Sequence, residues 1–84
     1  MEVFVYHVFA IGITLEGVTI YATYTYGAES LISSVATVSK MTNDIRNSIS
    51  TKRSLSWLGV VNFQFLEKID RPYTNQVISF REVQ

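Results

Sequence analysis

The sequence predicts an α+β fold in which two β-hairpins form an antiparallel sheet and one long helix packs across one face, in the order ββαββ. Three observations support this prediction: two β-rich stretches around an acidic residue and a glycine, a following stretch with apolar residues at helical spacing, and two further β-rich stretches. The chain has 84 residues, a length that supports a single core, so we expect one domain over residues 1–84.

The first hairpin is predicted over residues 1–26. Its strands, Val3–Thr14 and Val18–Tyr26, are rich in β-branched and aromatic residues. Glu16 and Gly17 stand between these strands and suit a tight two-residue turn. We therefore expect a hairpin whose register is set by a two-residue loop.

A two-residue loop places Phe9 opposite Tyr24 and His7 opposite Tyr26, and these residues share an almost wholly apolar face. We expect the helix to cover that face. The other face mixes aromatic, aliphatic and threonine side chains and is expected to stay uncovered. Its candidate interface residues are Tyr6, Val8, Thr19, Tyr21, Thr23 and Thr25.

The helix is predicted from Glu29 to about Ser50. Apolar residues recur there at spacings of three and four, namely Leu31, Val35, Val38, Met41, Ile45 and Ile49. The opposite side carries serine, threonine and asparagine, which are weak helix formers. Packing of the apolar stripe onto the sheet is therefore expected to stabilise this helix.

Two further strands follow the helix. In the first, Leu55–Leu66, the aromatic residues Trp57, Phe63 and Phe65 alternate onto one face, where we expect the helix to cover them. After a polar loop, Gln76–Val83 forms the last strand. The sequence leaves the strand order open, because either hairpin can supply the edge of the sheet.

The composition excludes several kinds of functional site. Without cysteine there are no disulfides, thiolate ligands or cysteine nucleophiles, and the single histidine, His7, rules out a multi-histidine metal site. His7 is expected to be structural, and no serine lies in a nucleophile-elbow motif. We therefore predict no catalytic residue, no metal and no cofactor, and a protein that is not an enzyme.

Features of the first strand bear on localisation. The apolar run Val3–Ile13 is too short to cross a bilayer and is interrupted by His7. Glu2 stands where a secretory signal would carry a basic residue. These features predict a cytoplasmic protein that does not engage a membrane.

The balance of apolar and charged residues predicts a partner. Hydrophobic residues make up 48% of the chain and charged residues 17%, and Lys and Arg balance Asp and Glu at seven each. One helix covers one face of a four-stranded sheet, so apolar surface is left over. We expect a homodimeric protein-binding module, an inhibitor or adaptor that occupies another protein's surface, of a size that suits a phage-type accessory protein.

The distribution of basic residues supports an alternative function. All seven Lys and Arg lie from Lys40 onward. A polar, basic strip suited to a phosphate or a nucleotide-like small ligand is formed by Asn43, Arg46, Asn47, Arg53 and Arg71. The same cations also complement the negative end of a helix. Four acids share this half of the chain, so the pattern argues against nucleic acid as the partner.

Overall fold

The computed structural model describes residues 1–83, and Gln84, the last residue of the predicted domain, lies outside the described residues. The elements are β1 (Val3–Thr14), β2 (Thr19–Ala28), α1 (Val35–Ser50), β3 (Leu55–Ile69) and β4 (Gln76–Val83). The four strands form one antiparallel sheet in the order β3-β1-β2-β4, with α1 between β2 and β3 in the chain. The predicted α+β class and ββαββ order are confirmed.

The strand order places the first hairpin at the centre of the sheet. β3 pairs with β1 and β4 pairs with β2, so β3 and β4 form the two edges and do not form a hairpin with each other. Residues 70–75 cross from one edge to the other past the ends of β1 and β2. The most apolar strands therefore have both backbone edges paired, which leaves the more exposed strands outside.

The turn between β1 and β2 has three residues and not two, so the predicted register is wrong by one residue. The Thr14 N–H donates to the Val18 carbonyl at 2.9 Å, and the loop between them ends at Gly17 with φ of 85°. A left-handed glycine at this position is typical of a type I turn followed by a bulge. As a result, His7 lies opposite Thr25 and not opposite Tyr26.

The altered register moves the side chains of β1 to the opposite face from the predicted one, whereas those of β2 keep their predicted face. The side chains that α1 covers are Tyr6, Val8, Ala10, Ile20, Ala22, Tyr24 and Tyr26, and they pack with Met41, Ile45 and Ile49 of the helix. Tyr6 is 4% exposed and Val8 is 0% exposed. The prediction that these two residues belong to an uncovered interface is therefore wrong, because both lie in the core.

The helix begins at Val35 and not at Glu29. Ser34 is its N-cap, since the Ser34 hydroxyl accepts from the Thr37 N–H at 3.2 Å and the Thr37 hydroxyl accepts from the Ser34 N–H at 3.0 Å. Just before the cap, the Ile32 N–H donates to the Tyr6 hydroxyl at 2.9 Å. These bonds satisfy backbone N–H groups that precede the helix, so the helix begins at Val35.

Strand β3 contains three register shifts against β1. Each bulge adds one residue to β3 and therefore changes which face the following side chains occupy. Trp57 lies opposite Ile13 on the face away from the helix and is 53% exposed, so the prediction that the helix covers it is wrong. Phe63 is half-buried and packs edge-on against Tyr6 with ring centroids 5.9 Å apart. Phe65 contacts Tyr6 similarly but stays exposed.

A polar contact ties α1 to the sheet. The Tyr26 hydroxyl donates to Asp44 Oδ2 at 2.6 Å, and Lys40 Nζ donates to the same oxygen at 2.9 Å. Burial and the hydrogen bond to Asp44 raise the pKa of Tyr26 above its usual range. Burial alone would raise the pKa of Asp44, but the bonds from Tyr26 and Lys40 outweigh it and lower that pKa.

We expect Asp44→Ala to lower the free energy of unfolding by about 1–3 kcal/mol, because it leaves the buried Tyr26 hydroxyl without an acceptor. Urea denaturation at neutral pH measures this loss. Lys40→Gln is the matched control and should cost at most about 0.5 kcal/mol, because it removes only an exposed pair. Equal losses in the two variants would contradict the role given to the Tyr26 bond.

The same contact predicts a pH dependence. The folded-state pKa of Asp44 lies below its ordinary value of 3.8, so its stabilisation is complete above that value and is lost as pH falls through the folded pKa. Wild-type stability should therefore fall more steeply below about pH 4 than that of Asp44→Ala. Urea midpoints from pH 2 to pH 7 measure the difference, and parallel profiles would contradict it.

Candidate functional site

The face of the sheet opposite α1, here called the open face, carries a group of exposed apolar side chains. We call this group the apolar patch. It consists of the half-buried Ile11 and the exposed side chains of Phe9, Ile13, Tyr21, Trp57 and Val61. They are contiguous across β2, β1 and β3, because Ile11 lies opposite Tyr21 on one side and Ile13 lies opposite Trp57 on the other. Within residues 1–83 no element covers this patch.

The chain itself covers the other end of the open face. Val3, Val5 and Ile69 form a second, smaller core, and Tyr73 from the crossing segment packs against it. The segment comes very close to β2 at Gly27, where an added Cβ would lie 2.8 Å from a methyl group of Val3 and 3.1 Å from Tyr73 Cβ. Only glycine fits this approach. The open face is therefore closed at the end where β1 begins and uncovered where β1 ends.

A shallow depression lies within the uncovered part of the open face. It has a volume of about 690 Å³, and its walls include Phe9, Tyr21, Thr23, Val61, Ser79 and Arg81. The Arg81 guanidinium lies 5.8 Å from the centroid of the Tyr21 ring. The hydroxyls of Thr23 and Ser79 are 2.6 Å apart and bond to each other. The depression is thus mainly apolar, with one cation and a hydroxyl pair along the β4 side.

Four of the six predicted interface residues lie on the open face. Thr19, Tyr21, Thr23 and Thr25 follow one another along β2 on this side, whereas Tyr6 and Val8 lie under the helix. The predicted interface did not include Phe9, Ile11, Ile13, Trp57 and Val61, because the predicted alternation placed all five on the covered face. A three-residue turn ending at Gly17 is the signal that would have placed the residues of β1 correctly.

The predicted phosphate-binding strip is divided by the structure. Asn43, Arg46 and Asn47 are exposed on α1, as predicted. Arg53 Nη2 instead lies 2.9 Å from Glu16 and 3.0 Å from Glu82, which neutralise its charge. Arg71 follows Ile69, which pairs with the start of β1, whereas Arg53 contacts the turn after the end of β1. The two arginines are therefore separated by about the length of β1, roughly 35 Å, and do not form one site.

Among residues 1–83, no acid forms a salt bridge with His7. It lies opposite Thr25 and Gln64, and its ring meets the Phe9 ring edge-on at 4.9 Å. Within the part of the chain that the structure describes, there is no group of three or more histidine, cysteine, aspartate or glutamate residues that could hold a metal ion. The helix of residues 1–83 is too short and too polar to cross a membrane.

Comparisons with protein-family models, with curated proteins and with solved structures each return no match.

The Arg53 contacts predict a stabilising role for this residue. Arg53→Gln should lower the melting temperature by several degrees, because it releases the turn, the end of β4 and the segment after α1 from one another. The expected loss is about 1 kcal/mol, which corresponds to roughly 4–8 °C in a domain of this size. Arg46→Gln, an equal change of charge on the exposed helix, should leave the melting temperature unchanged. Equal shifts in both variants would contradict this assignment.

Proposed function

We propose that this chain is a small non-enzymatic protein-binding module, an inhibitor or adaptor that occupies a partner protein's surface with its apolar patch. In the absence of that partner, two copies form a homodimer through the same patch. The observation that carries the proposal is the contiguous set of exposed apolar side chains on the open face, where Trp57 is 53% exposed and Val61 is 62% exposed.

The size of the patch supports a binding role. The patch covers three strands spaced about 4.8 Å apart and about six residues along each strand, which gives a projected area of about 300 Å². Patches of this size are among the largest on monomeric proteins and often mark binding sites. The area is about two-fifths of the roughly 800 Å² that each partner buries in a standard interface, so the homodimer is expected to be weak and exchangeable.

The composition of the patch also suits protein binding. Trp57 and Tyr21 are large, rigid aromatic residues, and residues of this kind carry much of the energy of protein interfaces. Threonine and serine hydroxyls border the patch on its β2 and β4 side, including the bonded pair Thr23 and Ser79. This arrangement of an apolar centre with a polar border is typical of interfaces between separately folded proteins.

The irregular edge strands of the sheet favour association through the open face and not through strand pairing. β3 is interrupted by three register shifts, and the register of β4 against β2 shifts once. Bulges on edge strands disturb the regular backbone spacing that another strand would need for pairing. The apolar patch is therefore a more suitable contact surface than either edge.

We expect wild-type protein to show a concentration-dependent dimer, and Phe9→Asp to weaken the dimer at least about tenfold, because a carboxylate would be desolvated in the contact. Native mass spectrometry and sedimentation velocity measure the dimer fraction, and the far-ultraviolet circular dichroism spectrum checks that the fold is kept. Phe9 is already exposed, so its replacement leaves the core intact.

Val35→Asp is the matched control for this experiment. Val35 is 84% exposed on α1, on the other side of the sheet from the patch. This variant should form the dimer as wild type does. A wild-type protein that stays monomeric at all concentrations would contradict the homodimer, and so would equal weakening by both substitutions.

A further inference from the structure

Arg81 differs from Arg53 because, among residues 1–83, no acid forms a salt bridge with it. Arg81 lies opposite Tyr21 on β4, and its guanidinium is positioned over the Tyr21 ring. The salt bridges formed among residues 1–83 involve Lys40, Arg53, Lys68 and the N-terminus, but not Arg81. An exposed cation therefore stands at the side of an apolar depression.

The groups around Arg81 define the chemistry that would fit beside it. Phe9 and Val61 form apolar walls of the depression. The hydroxyls of Thr23 and Ser79 lie in the cross-strand row next to that of Tyr21 and Arg81. The planar guanidinium binds a carboxylate through two parallel hydrogen bonds. These bonds are stronger than bonds between neutral groups because both partners are charged. A complementary ligand thus has an apolar body and one carboxylate.

Within residues 1–83, a second copy of this chain has no carboxylate in its own patch that could bind Arg81. Glu67 is an acid on the open face, but it lies opposite Val5, near the end that Tyr73 covers. Ile11 lies in the same cross-strand row as Tyr21 and Arg81. Val5 is six residues from Ile11 along β1, so Glu67 and Arg81 are about 20 Å apart along the strand direction. Glu29 follows the end of β2, far from the patch, and the remaining acids of residues 1–83 are in salt bridges, as Asp44 is with Lys40.

We infer that the partner recognised by the apolar patch is a protein segment in which an aspartate or glutamate is flanked by apolar side chains, and that its carboxylate binds Arg81. This inference rests on the proposed function, because it concerns the same surface. In the homodimer Arg81 stays at the solvated border, since burying it without an acid is costly. The acidic partner therefore replaces the second copy by supplying a contact that the second copy does not make.

Two matched small probes test the carboxylate directly, namely phenylbutyrate and the neutral phenylbutyramide. Both have the same apolar body, and amide chemical shifts in NMR titrations report where and how tightly each one binds. Wild type should bind phenylbutyrate about tenfold more tightly than phenylbutyramide, with shifts centred on the apolar patch and Arg81. Arg81→Met should bind the two probes equally, and Arg46→Met, with the same change of charge on α1, should behave as wild type.

Self-association provides a second measurement. Arg81→Met should form the homodimer at least as tightly as wild type, because it removes a cation that the second copy does not balance. If wild type binds both probes equally at the patch, or if Arg81→Met weakens the dimer, the inference about the carboxylate is overturned while the binding face stands. If neither probe shifts the patch and wild type is monomeric, the proposed function fails as well.

Discussion

The register of the central hairpin is the constraint on which the rest of this structure depends. It is set by a three-residue turn in which Gly17 adopts a left-handed backbone conformation. Thr14 closes this turn, because its backbone N–H donates to the Val18 carbonyl and its hydroxyl accepts from the Val18 N–H. Because successive side chains point to opposite faces, one residue more or less in this turn decides which set the helix covers. In the register that forms, Tyr6 and Val8 enter the core and Phe9 is directed to the open face.

The bulges of β3, at one edge of the sheet, also decide which side chains the helix covers. They return Phe63 to the covered face after Val61 and leave Trp57 on the open face. The helix then packs over the central strands, and the crossing segment with Tyr73 covers one end of the opposite face. What remains uncovered is one area at the other end of the sheet, and its position follows from these packing choices.

Electrostatics distinguishes the two sides of the molecule. On the helix side and at the turns, charged groups are used in structural contacts, such as Asp44 with Tyr26 and Arg53 with Glu16. On the open face Arg81 stands beside apolar and hydroxyl groups. A chain with balanced charges has little long-range field to steer a partner, so specificity depends on short-range contacts of this kind.

The types and order of the elements could be predicted from the sequence, because helical and strand spacing are local properties that Met41, Ile45 and the β-branched residues of β1 display directly. The sequence also identified the open-face residues Thr19, Tyr21, Thr23 and Thr25. Only the tertiary structure decided the strand order, the start of α1 and which face is buried. Alternation divides side chains into two sets without saying which is covered, and that choice depends on turn and bulge geometry formed when the strands pair.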